Sequence, residues 1–432
     1  MRTSDLRTTT WAQPLRHTST PYVATLLFTY IIAGYVNYVA DRLGAEQFLI
    51  RSQAPGIYIP FVGTVAVIVL WVVYQGKPVT SRLLIAFLAL LMIAWLVQLI
   101  IIRVHGDLTV HTIWLFVPTI LLLLLKGPSW QSISSALLVG AWLIAAILVV
   151  TRGLELLGLV PIFEIPDKNA VQWENERYWQ PLREVLLLEG RWPGPFGFNS
   201  RTGFMSAIVL VIGLAVRRRS SWLLVLIGAI GIMATAGRMP YLTAAAGVFT
   251  VFFFGNNRLV RRLPFGLRLT SVAAAISFVG LYFLNSGTGS TGRLGDSGIW
   301  SGYLELWRGS PWIGVGQVGI WEAPARINYS IDAHSIYIQN LTLSGIAGFT
   351  GVFGALALGI FIAIRAASRG QALPLALIIM YLVGGATDVS HSSWTSHSPY
   401  TIFVILAVVG AGQVQRPQST TASPAVRPTT KV

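Results

Sequence analysis

Apolar runs long enough to cross a membrane recur along almost the whole of this 432-residue chain. A hydrocarbon core about 30 Å thick is crossed by roughly 20 helical residues. Lipid offers no partners for backbone N–H and C=O groups, so spanning segments fold as helices. Because 54% of the residues are hydrophobic and only 11% are charged, the chain is far too apolar for a soluble protein. The sequence therefore predicts an all-α, polytopic membrane protein with one integral domain.

The apolar runs define twelve predicted spans, which two long polar segments interrupt at about 151–201 and 286–335. The spans lie near residues 22–40, 56–74, 83–102, 110–125, 133–150, 202–216, 222–237, 240–254, 270–285, 336–364, 371–386 and 399–414. We expect 1–21 to form an N-terminal tail and 22–414 the membrane domain. The last stretch, 415–432, is rich in Pro, Ser and Thr, a composition typical of a disordered tail.

Basic residues are unevenly distributed over the two sides that these spans define. The net charge is +15; one side carries 18 of the 31 Lys and Arg residues, and the opposite side carries 15 of the 16 acidic residues. The positive-inside rule predicts that both tails are cytoplasmic and that the two long polar segments lie outside. The basic excess thus indicates topology and attraction to anionic lipids, and not nucleic-acid binding. The chain has no cysteine, which excludes disulfides and thiolate chemistry.

The second long polar segment, within the stretch from Asn285 to Gln339, organises the predicted site. Arg293 stands near its start and His334 near its end, where the chain returns to the membrane. A cation and a titratable base that bracket a loop held at the bilayer are expected where a lipid-linked anion is bound and a hydroxyl is activated. The GTGSTG run inside this segment follows a predicted membrane helix and not a strand, so it does not indicate a dinucleotide site.

Two more arginines lie on the same predicted side. Arg191 precedes the stretch PGPFG, whose Pro and Gly residues end a helix and allow the backbone to approach a ligand closely. Mixed charged and aromatic residues over 171–189 predict a surface-lying helix before it. Arg238 lies in the short TAGRMPY turn between two spans, where an arginine that snorkels to the interface is the ordinary alternative.

Other outer polar residues offer further interpretations. Two acids of the first outer loop suit either a catalytic carboxylate or solvated caps, and two groups of His and Asp suit a metal site. The later group, with its tryptophan, also suits contacts to a glycan, and the tryptophans over 300–321 suit either sugar stacking or an interfacial belt. These residues are Asp41 and Glu46; His105, Asp107 and His111; Asp388, His391, His397 and Trp394; and Trp300, Trp307, Trp312 and Trp321.

Four motifs in chain order give the sequence a resemblance to a known family. They are RWPGPFGFN, TAGRMP, TGR followed by LELW and GVG, and DAHSIYIQNLTLSGIAGF, over roughly residues 185–350. Together they resemble the O-antigen ligase and polymerase superfamily, whose members act on glycans linked to undecaprenyl pyrophosphate at the outer face of the bacterial inner membrane. One departure is Ser335, where many relatives carry Asn after the histidine.

The resemblance implies a periplasmic site in the inner membrane and an architecture broadly like that of the GT-C glycosyltransferases. It implies a catalytic base, His334, and three pyrophosphate-binding arginines, Arg191, Arg238 and Arg293. Asn199, Arg201 and Trp394 are further candidate substrate contacts on the same predicted side. The chain has no D-x-D motif, so neither a metal nor another cofactor is expected. Arginine forks then stabilise the departing phosphate. They also disfavour the imidazolium, which keeps the base neutral.

The leading functional prediction is an O-antigen ligase of lipopolysaccharide biosynthesis, which transfers a polysaccharide from undecaprenyl pyrophosphate to lipid A-core, with inversion. A polymerase that extends the lipid-linked glycan and a protein O-oligosaccharyltransferase are alternatives from the same superfamily. A transporter or flippase for the lipid-linked glycan belongs to a different class. That class requires functional charges in the middle of the membrane, whereas the predicted spans are nearly free of charge.

Overall fold

A computed structural model of the chain describes residues 20–42, 65–72, 78–105, 120–121, 123–158, 192, 194–196, 199–216, 219–255, 263–285, 297–321, 333, 335–386 and 399–413. Every regular element in these ranges is helical. The labelled helices are α1 Thr20–Arg42, α2 Arg82–His105, α3 Trp130–Leu156, α4 Asn199–Val216, α5 Ser221–Thr235, α6 Arg238–Phe254, α7 Phe265–Asn285, α8 Ser297–Gly309, α9 Gly316–Trp321, α10 Ile336–Ser368, α11 Ala372–Gly385 and α12 Pro399–Gly412.

The helices lie where the apolar runs predict them. Ten predicted spans coincide with α1 to α7 and α10 to α12, and the described parts of the other two, 65–72, 120–121 and 123–125, are also helical. The all-α prediction is therefore confirmed over the described residues. Within that part of the chain, α3 and α10 are long and apolar enough to cross a membrane. The count of twelve spans and the GT-C-like architecture stay predictions.

The centre of the bundle is formed by α11 and α12. Nearly every described side chain of α12 is buried, Phe403 and Leu406 among them, and α12 packs against α1, α2, α3, α10 and α11. The buried α11 in turn packs against α4, α6 and α10. A helix that is apolar on all sides is stable when other helices cover all of those sides. The helices α1, α2, α3, α4, α6 and α10 therefore pack directly around this pair.

The outer helices carry large apolar side chains on their exposed faces. α5 packs on α4 and leaves Trp222, Leu226, Ile230 and Met233, which recur at helical spacing, more than half exposed. An exposed apolar stripe of this kind marks a surface that meets lipid or another protein. Together with the length of α3 and α10, it favours a membrane location.

The helix α10 is broken at Gly345. This residue has φ 60° and ψ −167°, a conformation essentially restricted to glycine. The strap, defined as residues 310–315, crosses at the break: the carbonyl oxygens of Pro311 and Trp312 accept the N–H groups of Ile346 and Ala347 at 2.8 and 3.1 Å. The sequence predicts one uninterrupted span here, and the structure corrects this to two half-helices whose free backbone groups are satisfied by the strap.

Candidate functional site

The structure describes the neighbours of most of the predicted site residues, and not those residues themselves. Arg191, Arg293, His334 and Trp394 lie outside the described residues. Arg238 and Asn199 begin α6 and α4, and their side chains also lie outside the description; Arg201, in the first turn of α4, is exposed. The neighbours Trp192, Ala333 and Ser335 are described. They show where the chain stands immediately after Arg191 and on both sides of His334.

The residue after Arg191 is attached to two helices at once. The backbone N–H of Trp192 donates to the carbonyl of Ala234, in the last turn of α5, at 2.9 Å. Its indole N–H donates to the Oε2 atom of Glu155, near the end of α3, at 2.7 Å. The guanidinium of Arg152 donates to the same Oε2 at 3.1 Å and lies 5.6 Å from the centre of the indole ring. Trp192 therefore ties the position after Arg191 to the ends of both α3 and α5.

The segment that follows Trp192 packs on the start of α4. Gly194 has φ 65°, and a Cβ there would overlap the side chain of Thr202, so the close approach requires glycine. The N–H of Phe196 points at the Thr202 hydroxyl, 3.4 Å away. Trp192 and Phe196 are both buried. In the stretch PGPFG, the sequence predicts the end of a helix and a close approach of the backbone to a neighbour. Its described residues, 194–196, form a tight turn against α4.

The start of α4 also packs against the turn that carries Arg238. Gly203 leaves no room for a Cβ, because Pro240 of α6 and Thr235 of α5 lie directly against it. The connection between α5 and α6 is only Ala236 and Gly237, with Ala236 in the left-handed conformation at φ 46°. The backbone positions after Arg191 and at Arg238 are therefore held within one packed group formed by α4, α5 and α6.

The positions on either side of His334 are held by neutral groups. The N–H of Ala333 donates to Oε1 of Gln339, and the carbonyl of Ala333 accepts the indole N–H of Trp300, both at 2.9 Å. Ser335 is buried and extended, at φ −152° and ψ 123°, and its side chain makes no capping hydrogen bond. Its carbonyl accepts the N–H of Gln339 at 2.9 Å. The Ser that departs from the family pattern is therefore packed into the start of α10.

The end of α11 connects the start of α10 with the starts of α4 and α6. Ile336 lies against Gly385 so closely that no Cβ fits there, and a Cβ at Gly384 would meet Phe204 of α4 and Thr243 of α6. The hydroxyl of Tyr337 donates to the carbonyl of Leu382 at 2.9 Å. The helices α4, α6 and α10 thus begin at the same end of the bundle, which we call the site end.

Helix starts suit the chemistry of a phosphate. The first N–H groups of a helix have no partner within it, and the helix dipole places partial positive charge there. Three such starts, and the described neighbours of Arg191 and His334, belong to the site end. The arrangement can therefore attract an anion.

The tryptophans of the second long segment divide into two groups. Trp300 donates to Ala333, and Trp307 donates to the carbonyl of Pro311 at 3.1 Å; both stabilise the fold around α8 and the strap. Trp312 is 69% exposed, so among these described tryptophan side chains it is the one available for lipid or sugar. Trp321 ends α9, and its side chain lies outside the description.

The structure adds Glu155 and Arg152 to the surroundings of the site, and these residues were not predicted. The available signal is the pair of charges in TRGLE at the end of a long apolar run. Of the alternatives, Asp41 lies in the last turn of α1 and His105 ends α2. Glu46, Asp107, His111, Asp388, His391 and His397 lie outside the described residues.

No protein-family model and no curated protein matches this chain.

Proposed function

We propose that this chain is an inner-membrane glycosyltransferase of the O-antigen ligase type, which transfers a polysaccharide from undecaprenyl pyrophosphate to lipid A-core. The observation that carries the proposal is the packing at the site end. There, the backbone N–H of Trp192 donates to the carbonyl of Ala234, next to the turn that carries Arg238. Ile336 packs on the end of α11, which in turn packs on α4 and α6. Segments far apart in the chain, each adjoining a proposed functional residue, belong to one packed group.

The proposed reaction is a single displacement at the anomeric carbon of the donor sugar. The acceptor hydroxyl oxygen forms the new bond, its proton goes to the imidazole of His334, and the bond between the sugar and the pyrophosphate oxygen breaks. Undecaprenyl pyrophosphate leaves with an added negative charge. Arg191, Arg293 and Arg238 stabilise that charge as it develops, because guanidinium forks bind phosphate oxygens bidentately. Attack opposite the leaving group inverts the anomeric configuration.

Burial of charge distinguishes the enzyme from a transporter of the same lipid. Transport of a charged substrate needs ionisable side chains within the spans. Among the described residues, Glu155 is the buried charged side chain, and it lies in the last turn of α3 at the site end. The described helix interiors are otherwise apolar or carry neutral hydroxyl and amide groups. This distribution favours chemistry at one surface over passage through the bundle.

The test identifies the acceptor with purified protein and lipid-linked glycan. Transfer only when lipid A-core is added supports the ligase, and a His334→Ala variant serves as the inactive control. Chain lengthening without lipid A-core would make the protein a polymerase, and transfer to an added protein would make it a protein O-oligosaccharyltransferase. Each assay is run with and without EDTA, because no step of the proposed mechanism uses a metal.

A further inference from the structure

Glu155 is a buried carboxylate for which the proposed mechanism has no use. It lies in the last turn of α3 with 2% of its surface exposed. Burying a carboxylate is costly unless other groups hydrogen-bond and pair with it. Here the indole N–H of Trp192 and the guanidinium of Arg152 both donate to its Oε2 atom, at 2.7 and 3.1 Å. Two donors therefore stabilise the buried side chain of Glu155 at the site end of the bundle.

Trp192 connects this cluster to a second helix. Its indole is held by α3 through Glu155, and its backbone N–H is held by α5 through Ala234. The two bonds act on opposite ends of one rigid residue, so they fix both its location and its direction. A peptide bond joins Trp192 to Arg191. Trp192, the neighbour of Arg191 in the chain, is therefore held by an acidic residue 37 positions earlier.

We propose that Glu155 is a positioning residue for donor binding: it holds Trp192, the residue that directly follows Arg191, against the end of α5 and the turn that leads into α6. The inference deepens the proposed function and rests on it. Arg152 has a supporting part, because its side chain is 44% exposed and its ion pair with Glu155 is screened by water. The bond from Trp192, buried at both ends, is the connection that matters.

Steady-state kinetics test the proposal with three variants. Glu155→Ala removes the acceptor, and Trp192→Phe removes the donor but keeps the ring; each is expected to raise KM for the lipid-linked donor about tenfold and to leave KM for lipid A-core within twofold. The double variant is expected to be no worse than either single one, because both changes break the same bond. Glu155→Gln keeps an acceptor oxygen and is expected to restore most of the donor affinity.

The matched control is Trp130→Phe, at the opposite end of the same helix α3. It makes the same chemical change far from the site end and is expected to leave both KM values unchanged. A general loss of stability would instead raise both KM values or lower kcat in step with the amount of folded protein. Equal effects on both substrates, or no rescue by Glu155→Gln, would overturn the proposal.

A second measurement is independent of activity. The chain contains no cysteine, so Arg191→Cys provides a unique attachment point for a nitroxide spin label. We expect Glu155→Ala and Trp192→Phe to increase the mobility of this label, whereas Glu155→Gln and Trp130→Phe leave it unchanged. Unchanged mobility in the first two variants would overturn the positioning role whatever the kinetics of the unlabelled variants show. If the wild-type protein transfers no glycan but the label responds, the proposed function fails and the mechanical connection stands.

Discussion

Two halves of the site end are held in place by different chemistry. In the donor half, formed by the ends of α3 and α5 and the starts of α4 and α6, a charged cluster of Glu155, Arg152 and Trp192 holds the chain. In the base half, formed by the start of α10, α8 and the strap, neutral amide, indole and backbone groups hold it. The difference separates the half that adjoins the proposed pyrophosphate-binding Arg191 and Arg238 from the half that adjoins the proposed base.

The use of charged groups in one half and neutral groups in the other has a physical reason. Positive charges attract a pyrophosphate, and the carboxylate of Glu155 in the donor half is paired with Arg152 and so adds no unpaired negative charge there. Beside a base, a carboxylate would instead favour the protonated imidazolium. Over the described residues, the groups that hold Ala333 and Ser335 carry no charge. The two halves are thus suited to the two parts that the proposed mechanism assigns to them.

The largest effect is expected in the base half, from His334→Ala. General-base catalysis contributes about 100-fold to 10,000-fold, so transfer is expected to become nearly undetectable while donor binding persists. The measurement is turnover with lipid-linked glycan and lipid A-core, beside a donor-binding assay. His17→Ala, in the N-terminal tail, is the control for loss of a histidine. Near-wild-type turnover by a folded His334→Ala variant would remove the histidine from the mechanism.

The proposed pyrophosphate-binding arginines are tested next by Arg191→Lys, in the donor half, and by Arg293→Lys. Lysine keeps the charge but loses the bidentate fork, and the loss of one positioned donor at a developing oxyanion costs about 100-fold to 1,000-fold. Because a point charge remains, we expect a decrease of about tenfold to 100-fold in kcat/KM for the donor. Arg268→Lys, where the guanidinium packs over Phe254 and Phe265 away from the site end, is the matched control. Unaltered donor kinetics in both site variants would contradict the assignment.

The smallest expected effect on the chemistry, but a clear one on folding, comes from Gly345→Ala. A residue with a Cβ at this φ and ψ costs about 1–3 kcal/mol, and the Cβ would also overlap the backbone of Trp312 in the strap. We expect a lower thermal unfolding temperature and a few-fold loss of turnover, with donor affinity preserved. Gly266→Ala is the control, because an added Cβ there meets no atom within 4 Å. Equal unfolding temperatures of the two variants would show that the strap contributes nothing to the base half.

The sequence predicts the helices well because each helix depends mainly on its own residues. Apolar runs of spanning length determine them one at a time, and ten predicted spans coincide with labelled helices. The break at Gly345 was not predicted, because its cause is a strap more than 30 residues earlier in the chain. Glycine is common in apolar helices and does not by itself indicate a partner.

The site could be predicted only in part for a similar reason. Motifs indicate Arg191, Arg238 and His334 one at a time. No local pattern indicates that Trp192 forms a hydrogen bond with Glu155. Nor does one indicate that Phe204 and Thr243 both pack against Gly384. Such contacts depend on how separate helices pack. Glu155 carries a faint local signal, an acid at the end of an apolar run, which alone does not separate a functional residue from a solvated helix end.

The break in α10 also bears on the depth in the membrane that the proposed chemistry requires. The half-helix after Gly345 runs to Ser368, and at 1.5 Å per residue it is about 34 Å long, enough to cross the hydrocarbon layer unaided. The nine residues before the break form a separate half-helix about 13 Å long, which is not needed to cross that layer. Under the proposed function, this half-helix lies at the level of the lipid headgroups. A polyprenyl donor then keeps its tail in lipid while its pyrophosphate meets the start of α10.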